Sequence, residues 1–348
     1  MDVVYAPGDN YAVYTGVSVY SLCENNRSAG EINIYIISND LSAENTERLK
    51  ATAESFGRNI FFMDVSRKLK EFSKEIDAGS YGINVFGRFF MGKLLPEKID
   101  RLLYIDCDTV VNGSIERLFE TDMEGKTAMA VPEPTIYKSV LRSIGFDEDE
   151  LYFNAGVILI DFKKWVSEKI SDKLIEFYKE NGRRLFCADQ DAINAVLRND
   201  IGVLPPKYNF FTNYRYFSYK YLKEESASYR AVKKNEFEEA KKSPAIIHFL
   251  GTERPWIRGN LNPYRKIYKN TLGQTLFKGE GEISGRELQV FAFHIMELLT
   301  LLFPWSRRAV SGAFERKYVV KRTEASGNIE NVKKIKTAET VKTKDGTM

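Results

Sequence analysis

Short apolar runs alternate along most of the chain with segments in which apolar residues recur at helical spacing. The runs of strand length are Val3–Ala6, Ile32–Ile37, Ile60–Met63, Leu102–Ile105, Ala128–Val131, Gly156–Ile160 and Ala245–Phe249. The segments of helical period are Tyr11–Glu24, Ala43–Ser55, Gly87–Leu95, Lys163–Glu180 and Ala188–Arg198. This alternation predicts an α/β fold with a mainly parallel central sheet covered by helices.

The order of strand and helix from the first residue is typical of a nucleotide-binding unit. No G-x-G-x-x-G follows the first strand, however, so the dinucleotide-binding fingerprint is absent. Residues 204–229 are dense in aromatic side chains and have no regular period. We expect them to form an irregular segment over a cleft, whose shape, around Tyr208–Tyr221, selects the substrate.

The C-terminal part has a different pattern. Residues Glu287–Phe303 predict a broadly apolar helix with a polar stripe of His294, Glu297 and Thr300. It is too short for a membrane span, which needs about 20 apolar residues. Basic residues and aromatic rings follow it: Arg307, Arg308, Arg316, Lys317, Lys321 and Arg322, with Trp305, Phe314 and Tyr318 among them. These features favour a helix that lies in an anionic membrane surface. The alternative is a helix that packs on the rest of the chain or pairs two subunits.

Charge and composition sharpen this division. The formal net charge of the 348 residues is +3. Residues 304–348 carry a net charge of +6, which leaves −3 on the body and argues for a basic docking tail rather than a nucleic-acid-binding face. Beyond about residue 321 apolar residues are sparse, which predicts disorder. We therefore expect a catalytic domain at 1–270, an amphipathic membrane-association segment at 271–320 and a disordered tail at 321–348.

Three cysteines make no disulfide framework, and the first residues read as a strand without a signal core. Both observations favour a reducing, cytoplasmic location. With the apolar helix and basic residues of the C-terminal part, this predicts a protein peripheral at the inner face of the cell membrane.

An apolar strand leads into two acidic residues, Asp106 and Asp108, with Cys107 between them. Side chains alternate along a strand, so the two carboxylates can point the same way. They lie at the carboxyl end of the strand, where open α/β sheets bind ligands. Converging carboxylates repel each other unless a cation lies between them, and oxygen ligands suit Mg²⁺ or Mn²⁺. The pattern predicts a metal site; the alternative is a solvated turn.

A second apolar strand ends in His248 and is followed by a loop that contains Gly251 and Arg254. A histidine beside a phenylalanine is common as a hydrogen-bonded core residue. As a third metal ligand, its imidazole would favour Mn²⁺ over Mg²⁺. Gly251 permits a close backbone approach to a ligand, and Arg254 offers a fork for phosphate oxygens.

Two further motifs carry polar groups. Asn154 precedes a predicted strand and suits a sugar hydroxyl, although it also suits a plain turn. Asp189 and Gln190 open a predicted helix, where an acidic residue also complements the helix dipole.

Together these motifs resemble the retaining glycosyltransferases of family 8, which have the GT-A fold and include bacterial lipopolysaccharide galactosyl- and glucosyltransferases and glycogenin. The matching residues are Val3-Val4-Tyr5-Ala6, Asp9-Asn10-Tyr11, Arg88, Asp106-Cys107-Asp108, Phe153-Asn154-Ala155-Gly156, Asp189-Gln190-Asp191, His248-Phe249, Gly251 and Arg254-Pro255-Trp256. They cover about residues 1–265. The chain departs from the family pattern at Gly8, where an acidic residue is usual beside the base-binding site, and at Arg254, where lysine is usual.

The resemblance implies a hexosyltransferase that moves glucose or galactose from a UDP-sugar to a glycan or glycolipid acceptor in cell-surface polysaccharide synthesis. Its metal, Mn²⁺ or Mg²⁺, would be held by Asp106, Asp108 and His248. The implied substrate-binding residues are Ala6, Asp9, Asn10, Arg88, Asp106, Cys107, Asn154, Ala155, Asp189, Gln190, Gly251 and Arg254. Those implied at the reacting centre are Gln190, Asp189 and Asn154. Because glutamine is a poor nucleophile, front-face attack by the acceptor is favoured.

Three other functions remain open at this point. A glycogenin-like primer would glucosylate its own tyrosine, and nineteen tyrosines leave it open. A non-catalytic sugar-nucleotide-binding module would not use both the metal set and Gln190. A metal-dependent nucleotidyltransferase is a more distant alternative, and it would release pyrophosphate.

Overall fold

The computed structural model describes residues 1–76 and 82–324. Its strands are β1 (Asp2–Tyr5), β2 (Asn33–Ser38), β3 (Asn59–Asp64), β4 (Arg101–Ile105), β5 (Thr109–Val111), β6 (Ala128–Pro132), β7 (Phe153–Asp161), β8 (Ile201–Val203), β9 (Phe210–Phe211) and β10 (Ile246–His248). Its α-helices are α1 (Ala12–Asn25), α2 (Ala43–Glu54), α3 (Ser66–Phe72), α4 (Met91–Leu94), α5 (Glu116–Phe119), α6 (Lys138–Ser143), α7 (Phe162–Ser167), α8 (Ile170–Asn181), α9 (Ala188–Val196), α10 (Tyr219–Glu225), α11 (Lys234–Lys242), α12 (Arg265–Leu272), α13 (Glu287–Leu302), α14 (Pro304–Phe314) and α15 (Val320–Glu324).

The central sheet has the strand order β3-β2-β1-β4-β7-β6-β8. Neighbouring strands run parallel except where β7 pairs antiparallel with β4 and β6. Both faces are covered: Val4 and Tyr104 belong to the core on one face, and Val3 and Leu103 to the core on the other. Burial on both faces explains why these strands read as continuous apolar runs. The predicted mainly parallel α/β sheet is confirmed.

A second, smaller sheet positions the candidate site. It has the order β5-β10-β9, with β10 antiparallel to β5 and parallel to β9. The strand around residue 247, predicted as part of the central sheet, therefore lies outside it. β5 begins directly after Asp108 and pairs His248 with Thr109, which brings the histidine beside the acidic turn.

Two predicted helices have a different form. The segment Lys163–Glu180 is divided into α7 and α8 at Lys169, whose backbone φ of 55° interrupts the helix. The first half of Gly87–Leu95 belongs to a 3₁₀ helix, Ile83–Phe90, and the second half to α4, which follows it directly. In a 3₁₀ turn residues three apart lie on one face, and Phe86 and Phe89 both contact the ring of Tyr178.

The aromatic segment 204–229 lies behind the site rather than over it. Tyr208, Phe210, Tyr214 and Tyr229 are buried in the core. Within the described residues none of this segment lines the cleft. The prediction that it covers the cleft was wrong, because rings that fill a core and rings that line a cleft give the same composition.

The chain stays packed on the body beyond residue 270, the predicted boundary. Phe277 is buried against Gly16 of α1, and the Tyr14 hydroxyl donates to the carbonyl of Gly281 at 3.0 Å. Of the predicted tail, residues 321–324 belong to α15, where Arg322 donates to the carbonyl of Leu185. The rest of that tail, 325–348, lies outside the described residues.

Helix α13 packs against the protein with its polar face, whereas an ordinary surface helix buries its apolar face. Its polar stripe of His294, Glu297 and Thr300 is buried, with at most 4% exposure, whereas Leu288 and Leu302 are 85% and 73% exposed. No helix in the part of the chain described here is long and apolar enough to cross a membrane. The sequence pattern predicted the two faces of this helix, and the structure shows that the polar face contacts the protein.

Candidate active site

The side chains of Asp106, Asp108 and His248 converge on one point at the carboxyl end of β4. The Nε2 atom of His248 lies 3.2 Å from Asp108 Oδ1 and 3.8 Å from Asp106 Oδ2. Backbone bonds hold the group together, from the Asp106 amide to the Gly156 carbonyl and from the Phe249 amide to the Asp108 carbonyl. The structure thus brings together the residues predicted as a metal set.

The hydrogen bond on the far side of His248 makes the site suitable for a metal. Nδ1 lies 2.9 Å from Asn209 Oδ1, an acceptor, so the proton resides on Nδ1. Nε2 is buried and makes no hydrogen bond with the described residues, so its lone pair faces the two carboxylates. A metal-binding histidine characteristically donates its other N–H in this way. The three residues therefore fit a divalent cation.

Gly156 on β7 leaves the space that the histidine occupies. A Cβ at this position would lie 2.2 Å from His248 Cε1 and 2.8 Å from Asp106 Oδ2. Both distances are shorter than van der Waals contact, so any side chain here would displace the ring or the carboxylate.

Arg88 ties two acidic residues together. Its Nη2 donates to Asp106 Oδ1 at 2.6 Å, and its Nε forms an ion pair with Asp189 Oδ2 at 2.9 Å. Nη1 donates to the carbonyl of Ala155 at 2.7 Å, and the guanidinium lies 4.0 Å from the ring centroid of Tyr104. Arg88 lines the cleft, but its guanidinium nitrogens already bind Asp106, Asp189 and a carbonyl. It therefore fixes these carboxylates and is less suited to bind a phosphate group.

Asp189 and Gln190 lie together at the start of α9. Burial raises the pKa of Asp189 to about 6, against the opposing charge of Arg88. The Gln190 amide is held at both ends: Oε1 accepts from the Ala155 amide at 3.0 Å, and Nε2 donates to the Tyr152 hydroxyl at 3.2 Å. Asp191, the third member of the motif, is fully buried and binds the Tyr152 hydroxyl, so its role is structural.

Asn154 is the centre of a buried network that the sequence did not predict. Its Oδ1 accepts from the Gly156 amide and from Asn209 Nδ2, and its Nδ2 donates to Glu133 Oε2 at 2.9 Å. Asn209 therefore links Asn154 to His248. Burial raises the pKa of Glu133, which lines the cleft. The one sequence signal for Glu133 is its place after the apolar run that became β6.

The loop after β10 brings a cation to the metal set. Arg254 Nη2 donates to Asp108 Oδ2 at 3.1 Å, and its guanidinium lies about 6 Å from the rings of Tyr11 and Trp256. Gly251 has a backbone φ of 54°, a conformation that glycine adopts without strain. Both residues, predicted to bind phosphate, line the cleft.

The structure separates three of the predicted substrate-binding residues. Ala6 and Asn10 line the cleft, whereas Asp9 does not. The Asp9 carboxylate accepts from the Ser42 amide and from Asn45 Nδ2, each at 2.8 Å, and these bonds lower its pKa. Asp9 therefore stabilises the start of α2 and does not face the cleft.

Asn84 and Asp40, which the sequence reasoning missed, line the cleft beside Gly8. A Cβ on Gly8 would lie 2.0 Å from Asn84 Nδ2, so this amide occupies the space in front of the glycine. Asn84 in turn donates to Asp40. Asp40 follows β2 at the carboxyl end of the sheet, which was the available signal.

These residues surround one cleft of about 740 Å³. The volume lies in the range of about 300–1,000 Å³ that small-molecule sites occupy. Cys107, Ala155, Asp189 and Gln190 line it together with the metal set. Carboxylates, a cation and amide groups all line it, which suits a ligand with a charged and a polar part.

Comparison with known proteins agrees with this site. The profile of glycosyl transferase family 8 matches residues 2–259. The chain is 31% identical over 281 residues to general stress protein A of Bacillus subtilis (strain 168), which covers 79% of this chain and 94% of that protein. It is 27% identical over 305 residues to the lipopolysaccharide 1,2-glucosyltransferase of Escherichia coli (strain K12), which covers 86% of this chain and 85% of that protein.

A solved structure of the galactosyltransferase LgtC, in complex with donor and acceptor sugar analogs, has the same fold. The TM-score is 0.67 at 24% identity, and the match covers 79% of this chain and 96% of that one. The chain belongs to glycosyltransferase family 8. The comparisons confirm the predicted family, the fold and the enzyme class, a family 8 hexosyltransferase. Enzymes of this family use a divalent metal and a UDP-sugar.

Proposed function

We propose that the enzyme transfers glucose or galactose from a UDP-sugar to a glycan or glycolipid acceptor, with retention at the anomeric carbon, in cell-surface polysaccharide synthesis. One observation carries the proposal. The Nε2 lone pair of His248 converges with Asp106 and Asp108 in the cleft, and the cation of Arg254 lies beside them. This is the chemistry that a departing diphosphate requires.

Asp106, Asp108 and His248 would hold Mn²⁺, because an imidazole ligand favours manganese over magnesium. When bound, the metal supplies Lewis-acid stabilisation of the charge on the leaving diphosphate. Arg254 adds a second positive charge next to Asp108. The amide of Gly251, in the same loop, suits a phosphate oxygen.

Asp189 is suited to accept hydrogen bonds from donor-sugar hydroxyls. Its carboxylate lies in the cleft and is fixed by the ion pair with Arg88. Glu133 and Asn154 offer further polar groups on the same wall. We assign Asn10, Asn84 and Asp40 to the nucleoside, because they line the same cleft and offer hydrogen-bonding groups outside the metal set.

Gln190 is suited to position the reacting centre rather than to attack it. An amide is a poor nucleophile, and both its ends are hydrogen-bonded to the protein. We therefore favour front-face attack: the acceptor hydroxyl bonds to the anomeric carbon as the bond to the phosphate oxygen breaks, and that oxygen takes the hydroxyl proton. Gln190→Ala should lower kcat more than UDP affinity. An equal loss of both would contradict a role at the reacting carbon.

A donor screen tests the proposed reaction. UDP-glucose, UDP-galactose and UDP-N-acetyl sugars are incubated with Mn²⁺, and released UDP is measured. Turnover of one hexose donor supports the proposal. Added mass in multiples of a hexose on the protein itself indicates a self-glucosylating primer instead. Release of pyrophosphate indicates a nucleotidyltransferase, and binding without any turnover indicates a non-catalytic module.

We further propose that the enzyme works in the cytoplasm at an anionic membrane surface, through the outer face of α13 and α14. This face exposes Leu288, Phe291, Leu298, Leu299, Leu301, Leu302, Phe303, Trp305 and Val310. Exposed Arg316 and Lys317 follow close by, with Tyr318. Apolar area, interfacial aromatics and basic residues match the chemistry of an anionic bilayer surface. Arg308 and Arg322 contribute less than their sequence suggested, because they bind Glu224, Glu225 and Leu185.

Sedimentation with vesicles that contain anionic lipid tests this location. A variant with Leu298→Ser, Leu302→Ser and Trp305→Ser should remain in the supernatant while the native chain sediments. Leu151→Ser, an exposed apolar residue elsewhere on the surface, is the matched control. Equal partition of all three proteins would contradict a membrane-binding face. Concentration-dependent dimerisation of the native chain alone would assign the face to a second copy.

A further inference from the structure

A second cluster of buried titratable groups lies beneath α13. Glu253, His294 and Glu297 are each at most 4% exposed. His294 Nδ1 lies 3.3 Å from Glu297 Oε2 and 3.8 Å from Glu253 Oε1. Among the described residues Nδ1, these two carboxylate oxygens and Glu297 Oε1 have no hydrogen-bond partner. Such atoms are costly to bury unless the cluster satisfies itself.

The hydrogen bond to Nε2 of His294, on the side of the ring away from the carboxylates, determines which nitrogen carries the proton. The backbone amide of Leu261 donates to Nε2 at 3.0 Å, so Nε2 is the acceptor and Nδ1 carries the proton. That proton faces the two carboxylates. A metal at Nδ1 would need a lone pair there and a proton on Nε2, directly opposite the Leu261 amide. The hydrogen-bond pattern therefore favours a proton-sharing cluster over a metal site.

Burial keeps the side chain of Glu297 neutral. Burial, together with the neighbouring Glu253, raises the pKa of Glu297 to about 10, so Glu297 is protonated near neutral pH. Arg307 of α14 opposes this shift, and Tyr216 faces the same cluster. Glu297 therefore presents a neutral acid beside Glu253 and the imidazole N–H of His294.

Glu253 also holds the loop that forms the phosphate end of the cleft. Its Oε2 accepts from Asn262 Nδ2 at 2.5 Å, and the same amide donates to the Glu253 carbonyl at 3.0 Å. Asn260 Nδ2 donates to the carbonyls of Thr252 and Arg254. Glu253 directly precedes Arg254, which binds Asp108. A continuous path of contacts therefore leads from α13 to the metal set.

We propose that His294 and Glu297 are positioning residues for the phosphate-binding loop: by holding Glu253 they place Gly251 and Arg254 at the cleft, and α13 is thereby part of the donor site. The inference rests on the proposed function, since it assumes that this loop binds the donor diphosphate. It assigns to the buried face of α13 a role separate from that of its exposed face.

The test compares UDP affinity, in the presence of Mn²⁺ and without lipid, among full-length variants. His294→Ala and Glu297→Ala should weaken UDP binding about tenfold by calorimetry, because the loop loses its support. Glu297→Gln should retain native affinity, since its amide replaces the neutral acid. Leu302→Ser, on the exposed face of the same helix, is the matched control and should bind UDP as the native chain does.

The outcomes separate this inference from the proposed function. If the native chain binds no UDP with Mn²⁺, the proposed function fails. If the native chain binds UDP and both alanine variants bind it equally well, the positioning role is overturned. Should Glu297→Ala fail to fold, Glu297→Asp replaces it, because it keeps the acid but withdraws it from Glu253. Weak binding by Glu297→Gln with unchanged thermal stability would also overturn the proposal.

Discussion

Two places in this molecule combine a buried histidine with two carboxylates, and they have opposite chemistry. At the cleft, His248 donates from Nδ1 to Asn209 and turns a bare lone pair toward Asp106 and Asp108. Beneath α13, His294 accepts at Nε2 from the Leu261 amide and turns its N–H toward two glutamates. The residue types are nearly the same. The partner on the far side of each ring sets the tautomer, and the tautomer separates a metal site from a proton-sharing cluster.

The largest expected effect is at the cleft. Asp108→Asn should lower turnover by about 10²–10³-fold or more, because an essential metal ligand is lost. Bound Mn²⁺, measured by equilibrium dialysis, should fall from one per chain to none, while the far-UV circular dichroism stays native. A metal ion that remains bound with native affinity in this variant would mean that Asp108 is not a ligand, and the contrast between the two clusters would no longer hold.

Gly156→Ala tests whether the positions of the metal ligands are fixed by the space that Gly156 leaves. The added methyl group would meet the His248 ring at 2.2 Å, so the ring or the Asp106 carboxylate must move. Metal affinity should fall by about 10–100-fold. Gly113→Ala is the matched control, since a Cβ there meets its nearest neighbour, an atom of Ala245, at 3.9 Å. Native metal affinity in Gly156→Ala would show that the ligands are more mobile than the structure indicates.

Asn209→Ala tests the tautomer itself. Without the acceptor for its Nδ1 proton, the His248 ring loses its fixed orientation, and Mn²⁺ affinity should weaken by about tenfold. Asn194→Ala removes another buried amide of the same region that does not contact the histidine, and should leave the metal titration unchanged. Equal effects of the two variants would reduce Asn209 to a packing residue.

The smallest effect concerns stability at the second cluster. In the unfolded chain Glu297 ionises near 4.5, whereas in the folded chain its pKa is about 10. Between these values only the unfolded state has released the proton, so stability falls as the pH rises, by at most about 1.4 kcal/mol per pH unit. Glu297→Gln cannot ionise and should flatten this dependence of the unfolding free energy. Parallel curves for the two proteins would show that Glu297 is ionised in the fold.

Local patterns predicted the parts of the site that follow apolar strands. Asp106 and Asp108 follow β4, at the carboxyl end of the mainly parallel sheet, where such folds bind ligands. His248 ends β10, whose antiparallel pairing with β5 brings it beside them. Asn209, Glu133 and Glu253 escaped prediction because their partners are distant in sequence: Asn209 meets His248, Glu133 meets Asn154, and Glu253 meets His294. A single sequence carries no signal for such pairs.

The C-terminal helix shows another limit of sequence reasoning. The alternation of His294, Glu297 and Thr300 with apolar residues predicted two faces, and the structure has both. Ordinary burial rules would place the apolar face inward, but here the polar face is buried, because a buried carboxylate on the body requires partners. The orientation depends on Glu253, which lies far away in the sequence.

The contact between Glu253 and α13 also orders events during synthesis of the chain. Domains fold from the N-terminus as a ribosome adds about 5–20 residues per second. The three metal ligands have all been made once residue 248 is added, whereas His294 and Glu297 follow considerably later. Until they emerge, the Glu253 side chain and the Leu261 amide have not met their partners on α13. We therefore expect a nascent chain to acquire its metal ligands before its donor loop is fixed, so that catalysis begins only when the C-terminal helix has folded back.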